Sequence, residues 1–121
     1  MAVTVTTQQN PIGTIMVQDT AAIQTAVDNT TGSSGTLYMV EIVNSAGAIV
    51  YFKMADTTDA TAGTTAADIV LMCPASSTRS YAFPNGIAFA NGFSHWCVAG
   101  AAEANVGAPG SVAVRYITSA S

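Results

Sequence analysis

The segment 37–56, LYMVEIVNSAGAIVYFKMAD, restricts the fold more than any other part of the chain, because two strongly apolar runs meet there at an obvious turn. Successive strand residues face opposite sides. With Ala46, Gly47 and Ala48 as a three-residue loop, Tyr38, Val40, Ile42, Val50, Phe52 and Met54 share one face. Gly47 supplies the left-handed backbone that such a loop needs. This register sets Ile42 opposite Phe52, Val40 opposite Met54, and Glu41 opposite Lys53 on the second face. A cross-strand charge pair contributes about 0.2–1 kcal/mol, which selects register more than it stabilises a fold. The second face also carries Leu37, Met39, Val43, Ile49 and Tyr51, too apolar for a face left in water. The hairpin is therefore expected at the centre of the molecule, covered on both sides.

The rest of the chain reads as further short strands. Residues 2–7, AVTVTT, alternate as an edge strand, and residues 1–12 are candidates for an extended N-terminal arm on a single domain spanning 1–121. A turn is expected over 8–13, where Pro11 keeps Asn10 out of helical conformation, followed by a strand over 14–18. Residues 21–27 fit a strand better than a helix, since β-branched Ile23, Thr25 and Val27 hold the alternating positions. Strands are also expected over 68–73, ended by Pro74, and over 76–83, ended by the turn Pro84-Asn85-Gly86. Residues 87–89 and 93–99 follow as a hairpin about Asn91-Gly92. In its second strand Trp96 and Val98 face one side, His95 and Cys97 the other. Residues 111–118 close the domain. The spacing predicts an all-β chain, a single antiparallel β-sandwich or jelly-roll-like domain of about eight strands.

Charge narrows the function classes. Charged residues make up 8% of the chain, against about 25% in an ordinary soluble domain, so 22 Ala and 16 Thr must cover much of the surface. Such a surface is poorly protected against association. With Lys53, Arg79 and Arg115 as the only cations and a net charge of −4, no basic patch for nucleic acid can be assembled. No run approaches the ~20 apolar residues of a membrane helix, and residues 1–17 lack the pattern of a signal peptide. Assembly in a cytoplasm is the simplest expectation.

Reactive constellations are sparse. His95 is the one histidine, and no partner for it can be named from the sequence, which favours a packed structural role over a general base. A zinc site on His95 and Cys97 lacks two further ligands. Cys73 and Cys97 lie in apolar strands and are expected as buried free thiols. Asp56, Asp59 and Asp68 flank or occupy the Thr-rich loop 56–67 but match no calcium loop, and turn formation explains them. Asn29-Thr30-Thr31 matches a glycosylation sequon and is read as chance. Trp96, Tyr38, Tyr51, Phe52, Tyr81, Phe83 and Phe89 fit either a sugar platform or, more simply, a core. No cofactor is implied. A loop as long as 56–67 usually contacts a partner, so Thr57, Thr58, Thr61, Thr64 and Thr65, with Val3 and Val5 of the arm, are the candidate interface residues.

The succession GTLYMVEIVNSAGAIVYFKMAD, a Thr-rich loop with GTTAAD, IVLMCPA, FPNGIAFANGFS and VAGAAE resembles a family of small bacteriophage structural proteins. The resemblance covers a little over half of the chain. Cys73, Cys97, His95 and Trp96 stand where that pattern has small or aliphatic residues. It implies a non-enzymatic virion protein, a capsid decoration (cement) protein on the capsid surface, whose partner is the major capsid protein. The low-charge surface and the prevalence of closed symmetric assemblies add further copies of itself as partners, with a trimer on a symmetry axis as one expected form. A tail, fibre or spike module for receptor or carbohydrate binding is the alternative. The arm would then add a strand to a neighbour's sheet edge.

Overall fold

Alternation governs what these residues build. The structure is a computed structural model that describes residues 3–7 and 15–120. Eight strands form among the described residues: β1 (Val3–Thr7), β2 (Ile15–Asp19), β3 (Gly35–Asn44), β4 (Val50–Asp56), β5 (Ile69–Cys73), β6 (Ser77–Phe89), β7 (Phe93–Val98) and β8 (Val112–Ala120). They make a five-stranded sheet in the order β1-β2-β8-β3-β6 and a three-stranded sheet in the order β5-β4-β7. All pairings are antiparallel. The sheets pack face to face as the expected β-sandwich, with no helix among the described residues. The core draws Val17, Leu37, Val40, Ile42, Val112, Val114 and Tyr116 from one wall, and Val50, Phe52, Met54, Cys73, Phe93 and Cys97 from the other.

The central hairpin does not form. β3 pairs with β6 and β8, whereas β4 pairs with β5 and β7, so the two apolar runs lie in opposite sheets. Asn44 directs the crossing: its Nδ2 donates to the carbonyls of Ala48 at 2.9 Å, Pro74 at 3.0 Å and Cys73 at 3.2 Å, and its Oδ1 accepts from Ala46 N–H at 3.0 Å. Ser45 N–H donates to Ser111 O, and Ser76 N–H to Ala46 O. These bonds lead away from a two-strand ladder, and residues 44–48 become an arch between sheets. Val40, Ile42, Val50, Phe52 and Met54 do face one core, but from opposing walls. Glu41 accordingly meets Arg115 of β8 and not Lys53.

Two turn signals also resolve differently. Leu37 pairs with Ile87 and Met39 with Ala82, leaving Tyr38 bulged on β3 opposite residues 83–86 on β6. Pro84-Asn85-Gly86 thus lies in a special bulge of four residues opposite one, inside one 13-residue strand. Gly86 sits at φ +74, where a Cβ would run into Thr36. The bulge shifts the alternation, so Leu37 is fully buried while Tyr38 is half-buried. Asn91-Gly92 joins β6 to β7 across the sandwich and makes no hairpin. Residues 21–27 form no strand; they run beside β7 through Cys97 N–H to Ile23 O and a bridge between Val27 and His95. The turn expected over 8–13 lies outside the described residues.

β1 pairs residue for residue with β2 of the same chain, Val3 to Asp19 through Thr7 to Ile15. The strand donated to a neighbour is therefore used within the chain. The loop 56–67 covers the outer face of the three-stranded sheet, where Ala60, Ala62 and Ala67 pack with Trp96, Val98 and Tyr51. Ala60 is buried and Ala62 and Ala67 are half-buried, whereas Ala66, Thr58, Thr61 and Thr64 are exposed.

Candidate functional site

β7 is buried along its whole length, with both of its faces covered. Its inward positions Phe93, His95 and Cys97 enter the sandwich, and His95 there meets partners that the sequence did not reveal. His95 Nε2 lies 2.9 Å from Asp19 Oδ2 on β2, and its Nδ1 lies 2.8 Å from the Tyr116 hydroxyl on β8. Tyr116 in turn contacts the Thr30 hydroxyl. Asp19 Oδ1 also accepts from Ala21 N–H at 3.1 Å. The expectation of an unpartnered imidazole is corrected: the side chain is packed, as expected, but engaged at both nitrogens. Asp19 closes β2, 76 residues away in the chain, and carries no local signal of this role.

The four side chains can keep every polar hydrogen bonded in two arrangements. With a hydrogen on Nε2 alone, the ring donates to Asp19 and accepts from Tyr116, which accepts from Thr30. With hydrogens on both nitrogens the ring donates both ways. Tyr116 then donates to Thr30, and Thr30 to Phe93 O at 3.0 Å. Burial holds the Tyr116 phenol well above its ordinary range. Acid–base catalysis requires a reacting proton within reach of the base. Asp19 and His95 are each 1% exposed and Tyr116 is fully enclosed, so the arrangement is a polar bolt between sheets.

The other candidates fall into place by position. No group of three or more His, Cys, Asp or Glu that could hold a metal occurs among the described residues. Asp56 is occupied: its carboxylate accepts from Ala90 and Asn91 N–H at 2.9 Å and from Gly92 N–H at 3.4 Å. Desolvation would raise its pKa, but these backbone donors together hold it below the usual carboxylate range. Asp68 accepts from Asp56 N–H at 2.7 Å. Cys73 and Cys97 are free and buried, and burial pushes the Cys97 thiol up to about 12. Of the sequon, Thr30 joins the bolt and Thr31 accepts from Phe93 N–H at 3.1 Å.

Lys53 lies on the outer face of the three-stranded sheet, where Nζ donates to Ala102 O at 2.7 Å. Desolvation lowers its pKa. It lines a hollow of about 170 Å³ with Trp96, Thr65 and Glu103. Trp96 itself is 1% exposed, and none of the described Tyr, Phe or Trp side chains is exposed. Among the interface candidates, Val3 packs against the core and Val5 is exposed on the sheet edge. Thr65 Oγ1 accepts from Thr61 N–H, and Thr57 O accepts from the Ser94 hydroxyl.

The outer face of the five-stranded sheet differs from that of its partner. The register places Met39, Glu41 and Val43 of β3 beside Ile117, Arg115 and Ala113 of β8. Gln18 and Met16 of β2 extend the row, as do Thr78, Ser80 and Ala82 of β6. No described element packs over it, and Val43 is 38% exposed. Arg115 Nε lies 2.7 Å from Glu41 Oε1 at its centre. Comparisons with protein-family models, with curated proteins and with solved structures give no match to this chain.

Proposed function

We propose that this chain is a non-enzymatic structural protein of a bacteriophage virion, a capsid decoration protein that binds the outer shell and further copies of itself. The observation that carries the reading is the open, nearly uncharged outer face of the five-stranded sheet, in a molecule whose one acid–base constellation is sealed inside. Decoration needs no chemistry: many copies burying modest surfaces add their contacts through avidity. The family resemblance in 35–102 supports the same role. The test is to purify particles that contain this polypeptide and measure its copy number against the major shell subunit. Copies in the hundreds support decoration, while about six or twelve, the multiplicity of a tail ring, overturn it.

A tail or spike module that binds a carbohydrate receptor has one observation in its favour. A groove of about 470 Å³ is lined by Gln24, Thr25, Asp28 and Thr61, side chains that hydrogen-bond hydroxyl groups. A glycan array separates the two readings, since decoration predicts no signal.

A further inference from the structure

We infer that the outer face of the five-stranded sheet docks a second copy of this chain, face to face, about a two-fold axis that runs along the strands between β3 and β8. This rests on the reading of the protein as a self-associating subunit and adds the surface, the symmetry and the residues that set the orientation.

The first support is charge complementarity. Among the described residues, Glu41 and Arg115 are the only charged groups on this face. They sit directly opposite one another on neighbouring strands, with Arg115 47% and Glu41 21% exposed. A rotation about an axis lying in the interface and parallel to the strands, passing between the two, sets each Glu41 against the other copy's Arg115. The two ion pairs become a ring of alternating charge. An axis across the strands instead sets Glu41 against Glu41 and Arg115 against Arg115, where like charges repel. The face thus complements itself in one orientation, as an isologous contact requires. Strands of the two copies then lie aligned, within about 30° after sheet twist.

The second support is area. The axis between β3 and β8 superposes four strands and leaves β1 outside; four strands about 4.8 Å apart, overlapping over roughly 17–30 Å, present on the order of 330–580 Å² per copy. Doubled, that is about 650–1,150 Å², whose upper end clears the roughly 1,000 Å² expected of a biological contact and suits a weak, many-copy association. Around the charges the face is methyl-rich, with Met16, Met39, Val43 and Ile117, and small side chains at Ala82 and Ala113 that permit close approach. A shallow hollow of about 230 Å³ beside the ion pair, walled by Gln18 and Val43, leaves room for an incoming side chain. The sheet's long edge suits self-pairing less well, because Pro84 removes an N–H there and the bulge at 83–86 bends β6.

The test is sedimentation equilibrium of the full chain at low salt, where charge effects are least screened. Wild type is expected to form a dimer. Glu41→Arg gives a face with two cations and Arg115→Glu one with two anions, so each alone dissociates, with the dimer constant weakened about tenfold or more. Equimolar mixing of the two variants restores a dimer. The swap Glu41→Arg with Arg115→Glu keeps the ion pair and self-associates like wild type; circular dichroism on each variant confirms folding. A dimer unaffected by Glu41→Arg, or single variants whose mixture stays monomeric, overturns the face and leaves the proposed function standing. A wild-type chain that is monomeric at every concentration overturns the face and the self-association in that function together.

Discussion

His95 on β7 holds Asp19 on β2 at 2.9 Å, and the contact joins the two sheets through the middle of the core. Deleting the imidazole leaves the buried Asp19 carboxyl without its side-chain hydrogen-bond partner, which costs about 1–3 kcal/mol. His95→Phe is therefore expected to lower the urea unfolding free energy by that amount. Tyr116→Phe, which keeps the ring and deletes the hydroxyl between His95 and Thr30, is expected to cost about 1–3 kcal/mol. A Tyr116→Phe protein as stable as wild type shows that the bolt contributes nothing.

The two Nδ2 hydrogens of Asn44 are shared among three carbonyl oxygens. Asn44→Ala loses those bonds at about 1 kcal/mol each. Asn44→Asp puts an acceptor among acceptors and is expected to be worse than Ala at pH 7, with part of the loss recovered near pH 3 as the carboxyl protonates. Denaturant melts of both variants at the two pH values decide it, and an Asp variant more stable than the Ala variant at pH 7 refutes the arch.

The Asp56 carboxyl is held below the ordinary range in the folded state by the N–H groups of residues 90–92. Its contribution is present above the unfolded pKa and is lost as pH falls through the folded value, so the window lies below about pH 4. Asp56→Ala is expected to cost about 1–2 kcal/mol at pH 7 and to flatten the acid limb of the stability profile. Thermal melts from pH 2 to 7 measure this, and an unchanged acid limb assigns the loss elsewhere.

The Cys97 thiol is pushed up to about 12, from an ordinary value near 9. Its raised folded value means stability is complete below about pH 9 and falls as pH climbs toward 12. Native protein is expected to react with a thiol reagent only as fast as it opens, and denatured protein at once. Two equally fast thiols in the native state contradict the burial.

Lys53 ties residues 99–107 to the three-stranded sheet through Ala102 O. Lys53→Met replaces a costly buried cation with apolar volume, so the change in global stability is expected within about 1 kcal/mol. Hydrogen exchange should instead quicken at Ala99 N–H, which donates to Gly107 O. Protection there equal to wild type shows that the tether is idle.

Alternation exposed most of the fold. It identified the inward residues Val40, Ile42, Val50, Phe52 and Met54 and the split of Trp96 from His95 along β7. It misassigned partners, because a hairpin face and the facing walls of two sheets carry the same period of two. The arch depends on one Asn side chain, and the bulge at Tyr38 on a turn signal whose strength says nothing of whether the chain reverses. The bolt was illegible for a different reason. Asp19, Thr30, His95 and Tyr116 come from four distant segments, and only the finished pairing of β2 with β8 and of β4 with β7 brings them together. The open face is hidden by the same ambiguity, since a hairpin pairing of β3 with β4 puts Met39 and Val43 under cover.

The arch at 44–48 has a kinetic consequence. By sending consecutive strands into different sheets, it removes the cheapest nucleus a β chain can have, a hairpin closed by three residues. β3 must instead await segments far along the polypeptide, β6 and β8, and proteins dominated by such encounters collapse to the native state in milliseconds to seconds, on the slow side for their size. While they wait, sticky, scarcely charged strands stand open to their neighbours, so newly made chains have a stake in being synthesised no faster than they can be matched up.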